Sequence, residues 1–253
     1  MKRRLALCVA LTAVLAACGG GASDGIPGTT STTGGAAATT STTPGNSITV
    51  APFGPQDVSF ATPDGLNLEG RLFPAGPTWV LLAHMRPADM ASWFEFAAVL
   101  QQAGYSALAY NNRGYGNSDE GDPLDLGADA QGALAFARAS GAQAVFFIGA
   151  SMNGAAALFL AAEEDLAGIV TLSGVPEWDN TPGLSRAGEI TEPALFVAAR
   201  DDGQAAAIAD AMGASVAGNA QVIVYPTGGH GTAMFTANPG LTDLLLGFVA
   251  AGS

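Results

Sequence analysis

The chain has 253 residues, 49% hydrophobic and only 12% charged, with a formal net charge of −13. That surplus of carboxylates excludes nucleic acid and other polyanions as electrostatic partners, and it gives anionic lipid headgroups little to attract. The two cysteines, Cys8 and Cys18, both precede residue 50, and there are only two histidines. The remainder of the chain therefore has no disulfide and little beyond carboxylates for a metal, so no metal is expected. No glycine-rich phosphate loop or dinucleotide fingerprint stands out, and no cofactor is expected.

The first residues form an address. Lys2-Arg3-Arg4 is a basic start, and 5–17 is an apolar run too short to span a bilayer comfortably. Leu15-Ala16-Ala17-Cys18 resembles a bacterial lipobox. The resemblance implies that 1–18 is a leader, that Cys18 is lipidated, and that the protein sits in the cell envelope, tethered to the membrane and facing the extracytoplasmic side. The competing reading is an ordinary signal peptide cleaved nearby, with Cys18 incidental. Residues 19–50 are dominated by Gly, Ala, Ser, Thr and Pro, the composition of a disordered linker.

From 51 to 253 one domain is expected. Asp64-Gly65 is read as the turn of a hairpin. Apolar runs at 78–83, 105–110, 143–148, 168–173, 194–199 and 221–225 read as strands buried on both faces. With the hairpin they predict a mostly parallel sheet of about eight strands, with helices on both faces. Helices are expected over 91–103, 155–162, 204–212 and 241–251. The acidic stretch Asp119-Glu120-Gly121-Asp122 reads as a solvated loop and helix N-terminus.

The most informative segment is Gly149-Ala150-Ser151-Met152-Asn153-Gly154. It follows a strand and precedes an alanine-rich helix. Strand, Gly-x-Ser, helix is the context of a nucleophile elbow, whose tight turn pushes the serine Oγ toward a base. Gly149 leaves room for the turn. Asn153 stands where the elbow pattern has glycine, and Gly154 comes one residue late. Read blandly, Gly-Ala-Ser is a small-residue turn.

The base and acid have candidates at other strand ends. His230 lies between Gly229 and Gly231, after the strand at 221–225. Asp201 and Asp202 follow the strand at 194–199; one of them would orient the imidazole, while the other could cap the next helix. Interval 174–193 is too short for a cap domain, so an open site is expected there. Trp178 in that interval either lines the site or packs beside it.

Serine, aspartate and histidine in that order are the order of the α/β-hydrolase fold family, which the chain resembles from about residue 58 onward. Two further stretches carry the resemblance. His84-Met85 ends the strand at 78–83, where the family has His-Gly. Arg113-Gly114-Tyr115-Gly116-Asn117-Ser118 fits the family's Arg-Gly-x-Gly-x-Ser loop. The chain is similar to capless serine esterases and dienelactone hydrolases. The resemblance implies Ser151 as nucleophile, His230 as base and Asp202 as orienting acid. It implies an oxyanion hole from the amides of Met85 and Met152. By their places in the chain, His84 at a strand end and Trp178 in the 174–193 interval are the candidates to line the substrate. The expected activity is hydrolysis of a carboxylic ester, small or displayed on a surface. The alternative is a non-catalytic surface binding protein on the same fold, with a disarmed elbow; Met85 and Asn153 are its support.

Overall fold

The computed structural model describes residues 54–121 and 124–253. The leader at 1–18 with Cys18, and the linker at 19–50, lie outside the described residues. Strands β1 (Gln56–Ala61) and β2 (Asn67–Phe73) form the hairpin, closed at Gly65 with φ +90°. The remaining strands of the main sheet are β3 (Thr78–Ala83), β4 (Ser106–Tyr110), β5 (Ala144–Ala150), β6 (Gly168–Leu172), β9 (Ala194–Ala199) and β10 (Ala220–Tyr225). The order across the sheet is β1-β2-β4-β3-β5-β6-β9-β10, eight strands in all. The β1–β2 and β2–β4 pairs are antiparallel, and every other pair is parallel. This is the eight-stranded, mostly parallel sheet that the apolar runs predict.

Side chains alternate across each strand, which divides the core in two. From β3, Trp79, Leu81 and Ala83 enter one cluster, and Val80 and Leu82 enter the other. The first cluster is covered by α2 (Leu126–Ala139), α3 (Asn153–Glu163) and α4 (Ala205–Ser215). The second is covered by α1 (Phe94–Gln102), the short α5 (Met234–Ala237) and α6 (Leu241–Ala251). Small residues let the helices approach closely. A Cβ on Gly132 of α2 would lie 2.9 Å from the Ala61 carbonyl oxygen. Asp125 caps α2 by accepting the Ala128 N–H at 2.9 Å. Asp119 of the acidic stretch upstream instead accepts the Asn67 backbone N–H at 2.8 Å and ties the loop to β2.

Among the described residues there is no cap domain. Segment 174–193 forms a two-stranded ribbon, β7 (Glu177–Trp178) with β8 (Thr181–Pro182), and a 3-10 turn over Leu184–Glu189. The segment packs down on α3: a Cβ on Gly183 would lie 3.0 Å from Ala155 Cα.

Candidate active site

The parallel strands end on one edge, and the predicted site residues collect there. β5 runs into Ser151, whose φ of +51° is left-handed. A non-glycine residue is held there only if its surroundings over-determine it. They do so here. The Ser151 N–H donates to the Leu172 carbonyl at 2.9 Å, and its own carbonyl accepts from Gly154 at 2.8 Å and Val175 at 3.0 Å. Gly149 permits the turn, since a Cβ there would meet the Asn153 carbonyl oxygen at 2.2 Å. The strained angle falls on the serine. Asn153 opens α3 and needs no unusual backbone.

The two aspartates divide their work. Asp202 Oδ2 lies 2.8 Å from His230 Nδ1. Asp201 accepts the backbone N–H groups of Gly228 (3.0 Å) and Gly229 (3.2 Å), which fastens the loop carrying His230. Neither caps α4, whose N-terminal residue Gln204 makes no capping bond. The helix-capping expectation is corrected: Asp201 holds the histidine loop, because the turn aims its carboxylate across to 228–229.

A bond that the sequence reading missed fixes the other end of this loop. Gly231 N–H donates to Ser173 Oγ at 3.0 Å. Ser173 follows β6, is 2% exposed and has φ +50°. A Cβ on Gly231 would lie 3.6 Å from Ala150 Cβ, so the loop reaches the residue preceding Ser151. Among the described residues no hydrogen bond joins Ser151 Oγ to His230, and the imidazole's partner is Asp202. The His230 side chain is 42% exposed, which leaves Nε2 open to a reactant. In unliganded sites such contacts commonly tighten only when substrate enters.

His84 is corrected. It is fully buried and lines no accessible surface. The Asn112 N–H donates to His84 Nε2 at 3.2 Å, so the proton sits on Nδ1, which donates to the Met85 carbonyl at 3.0 Å. Burial lowers its pKa below the ordinary histidine value. The sign of the linkage follows. Below a pH of about 6.5 the unfolded imidazole takes up a proton that the folded one refuses, so stability falls as pH falls. One proton amounts to at most about 1.4 kcal/mol per pH unit. Calorimetry from pH 7.5 to 5 should therefore show Tm dropping by up to about 5 °C per unit below 6.5. A flat Tm over that range would refute the buried neutral imidazole.

Met85 and Met152 carry backbone N–H groups that find no acceptor among the described residues. Met152 is fully buried, and the Met85 side chain packs on the histidine loop, with Thr232 Oγ1 3.8 Å from its sulfur. Trp178 is half-buried and packs against the cluster that contains Met152. A cavity of about 500 Å³ opens beside Met85 and Thr232, lined also by Phe96, Phe235 and Glu95. Among the described residues no cluster of potential metal ligands occurs, and no helix is long and apolar enough to cross a membrane.

Comparison with known proteins agrees with this architecture. Residues 78–181 match the family model described as the alpha/beta hydrolase fold. An uncharacterized protein of Mycobacterium tuberculosis is 28% identical, with 69% of this chain and 72% of that protein covered. A solved esterase of Pyrococcus furiosus superposes with a TM-score of 0.68 at 16% identity, over 79% of this chain and 93% of its own. An esterase of Exiguobacterium antarcticum gives 0.66 at 16%, over 77% and 100%. An enol-lactonase of Burkholderia xenovorans gives 0.63 at 17%, over 76% and 100%. At such identities the likeness speaks for the fold alone. Strand order, elbow and matched segment together show that this chain has the α/β-hydrolase fold.

Proposed function

We propose that the protein hydrolyses carboxylic esters through an acyl-enzyme on Ser151. Ser151 Oγ attacks the acyl carbon while His230 Nε2 takes the hydroxyl proton. Asp202, on Nδ1, orients the ring and stabilises its cationic form. The N–H groups of Met85 and Met152 receive the oxyanion of the tetrahedral intermediate. Collapse breaks the bond to the alcohol, which leaves with the proton from His230. Water then attacks the acyl-enzyme as His230 takes its proton; the acyl–Oγ bond breaks, His230 returns the proton to Ser151 Oγ, and the acid departs. The observation that carries this reading is the Asp202–His230 contact at 2.8 Å, on a loop seated against the residue before a strained Ser151. Solved neighbours that are themselves esterases, and the enol-lactonase, support an ester as the reacting group. The cavity beside Met85 gives one side of such a substrate a place. No nucleic acid is a partner in this reading.

The test is hydrolysis of p-nitrophenyl esters of two to eight acyl carbons by the full chain, beside His230→Ala and Asp202→Ala. We expect turnover by the parent protein and losses of about 10³-fold or more in each variant. Equal rates in parent and His230→Ala would refute the mechanism.

The lipid tether on Cys18 and the extracytoplasmic location belong to the same proposal. They rest on the lipobox-like Leu15-Ala16-Ala17-Cys18 alone.

A further inference from the structure

Asn153 stands where the elbow pattern has glycine, and its side chain is put to use. It is fully buried. Its Nδ2 donates to the His84 carbonyl at 2.6 Å and to Asn112 Oδ1 at 2.8 Å. The amide orientation follows from chemistry: the His84 carbonyl can only accept, so Nδ2 must face it. Asn112 is oriented in turn by donating its own Nδ2 to Asp129 at 3.2 Å, which leaves its Oδ1 toward Asn153. No partner reaches Asn153 Oδ1 among the described residues.

The peptide between His84 and Met85 is planar, and in a trans unit its C=O and N–H point in opposite directions. Clamping the His84 oxygen therefore sets where the Met85 N–H aims. The next carbonyl, that of Met85, is held by His84 Nδ1. Asn153 also adjoins Met152, whose N–H lies at the elbow. One side chain thus links the β3 loop to the start of α3, and so the two amides to each other.

We infer that Asn153 is a positioning residue that fixes the Met85 amide relative to the Met152 amide, and so sets the oxyanion hole. The inference deepens the acyl-transfer reading and rests on it for its catalytic consequence. Glycine at 153 would leave the β3 loop without this tie, so the substitution is an adaptation that restrains the loop. It does not disarm the elbow.

The test uses the full chain, ¹⁵N-labelled, as parent, Asn153→Ala, Asn153→Gly and Asn153→Asp. Two readouts are taken at a temperature where each is folded. The first is the Met85 amide resonance in the free protein. It should move or split in all three variants, while amides in the middle of α3 stay in place. The second is p-nitrophenyl ester kinetics. We expect kcat to fall about tenfold or more, as for loss of an oxyanion donor, with KM within about twofold. A merely structural asparagine would lower Tm and leave kcat intact. An unchanged Met85 resonance overturns the inference whether or not the protein turns over esters, and so does a moved resonance with unchanged kcat. If the parent hydrolyses nothing and a fluorophosphonate leaves Ser151 unlabelled, the ester reading fails; the amide resonance still decides whether Asn153 sets that peptide. Asn153→Asp, nearly isosteric, serves if the smaller side chains prevent folding.

Discussion

Ser151→Ala is expected to lower kcat for a p-nitrophenyl ester by about 10⁴-fold or more, with KM little changed and Tm the same within a degree or two. Removing a nucleophile that acts as one unit with its base costs nearly the whole of the covalent route, and the remaining amides sustain only a small residual rate. Alanine keeps the backbone where it is, because the angle is imposed by the bonds to Leu172, Gly154 and Val175. Glycine at the same position separates function from strain. At φ +51° a side chain costs about 1–2 kcal/mol that glycine does not. Ser151→Gly should therefore be as inactive as Ser151→Ala yet melt a few degrees higher. A rise in Tm on losing the Ser151 hydroxyl would be the signature of strain held for function. Equal activity in parent and Ser151→Ala, measured side by side, would remove Ser151 from the chemistry.

The largest stability effect should come from a residue remote from the reacting atoms. Asp129 on α2 is fully buried and accepts Arg113 Nε at 2.7 Å and the Arg113 backbone N–H at 3.0 Å. Arg113 is 3% exposed and forks onto Asp64 at 2.9 and 3.1 Å. Burial pushes the Asp129 carboxyl above its ordinary range, opposed by the Arg113 guanidinium. Asp129→Ala leaves the Arg113 Nε, the Arg113 backbone N–H and the Asn112 amide without their buried acceptor, and the guanidinium keeps only the half-exposed Asp64. Breaking a buried pair from one side costs about 3–5 kcal/mol, or roughly 6–20 °C in Tm for a domain of this size. The Asp64 side chain is 46% exposed, and Asp64→Ala should cost far less, about 1 kcal/mol or below. Scanning calorimetry on both variants gives the comparison. A drop under about 3 °C for Asp129→Ala would mean that Arg113 finds water or another acceptor.

The sheet was legible because buried parallel strands are written as unbroken apolar runs, and β3, β5 and β9 are such runs. The strand–turn–helix elbow around Ser151 was legible from its setting, a strand before and small helical residues after. What local sequence does not record is burial and aim. His84 looked like a lining residue because it ends a strand on the site edge, yet its ring turns inward to Asn112 and the Met85 carbonyl. Asp201 and Asp202 are chemically identical neighbours, and only the turn decides which faces His230. Ser173 carries no motif; its hydroxyl matters because Gly231, 58 residues later, needs an acceptor. Asn153 read as a flaw in the elbow, since its partners lie 69 and 41 residues back along the chain.

The most direct measurement is to treat the full chain with a fluorophosphonate and locate the adduct by peptide mass spectrometry. Stoichiometric modification of Ser151 alone is expected, lost in Ser151→Ala and strongly slowed in His230→Ala. A protein that stays unmodified, or modification elsewhere with Ser151 spared, would contradict a serine nucleophile at this elbow.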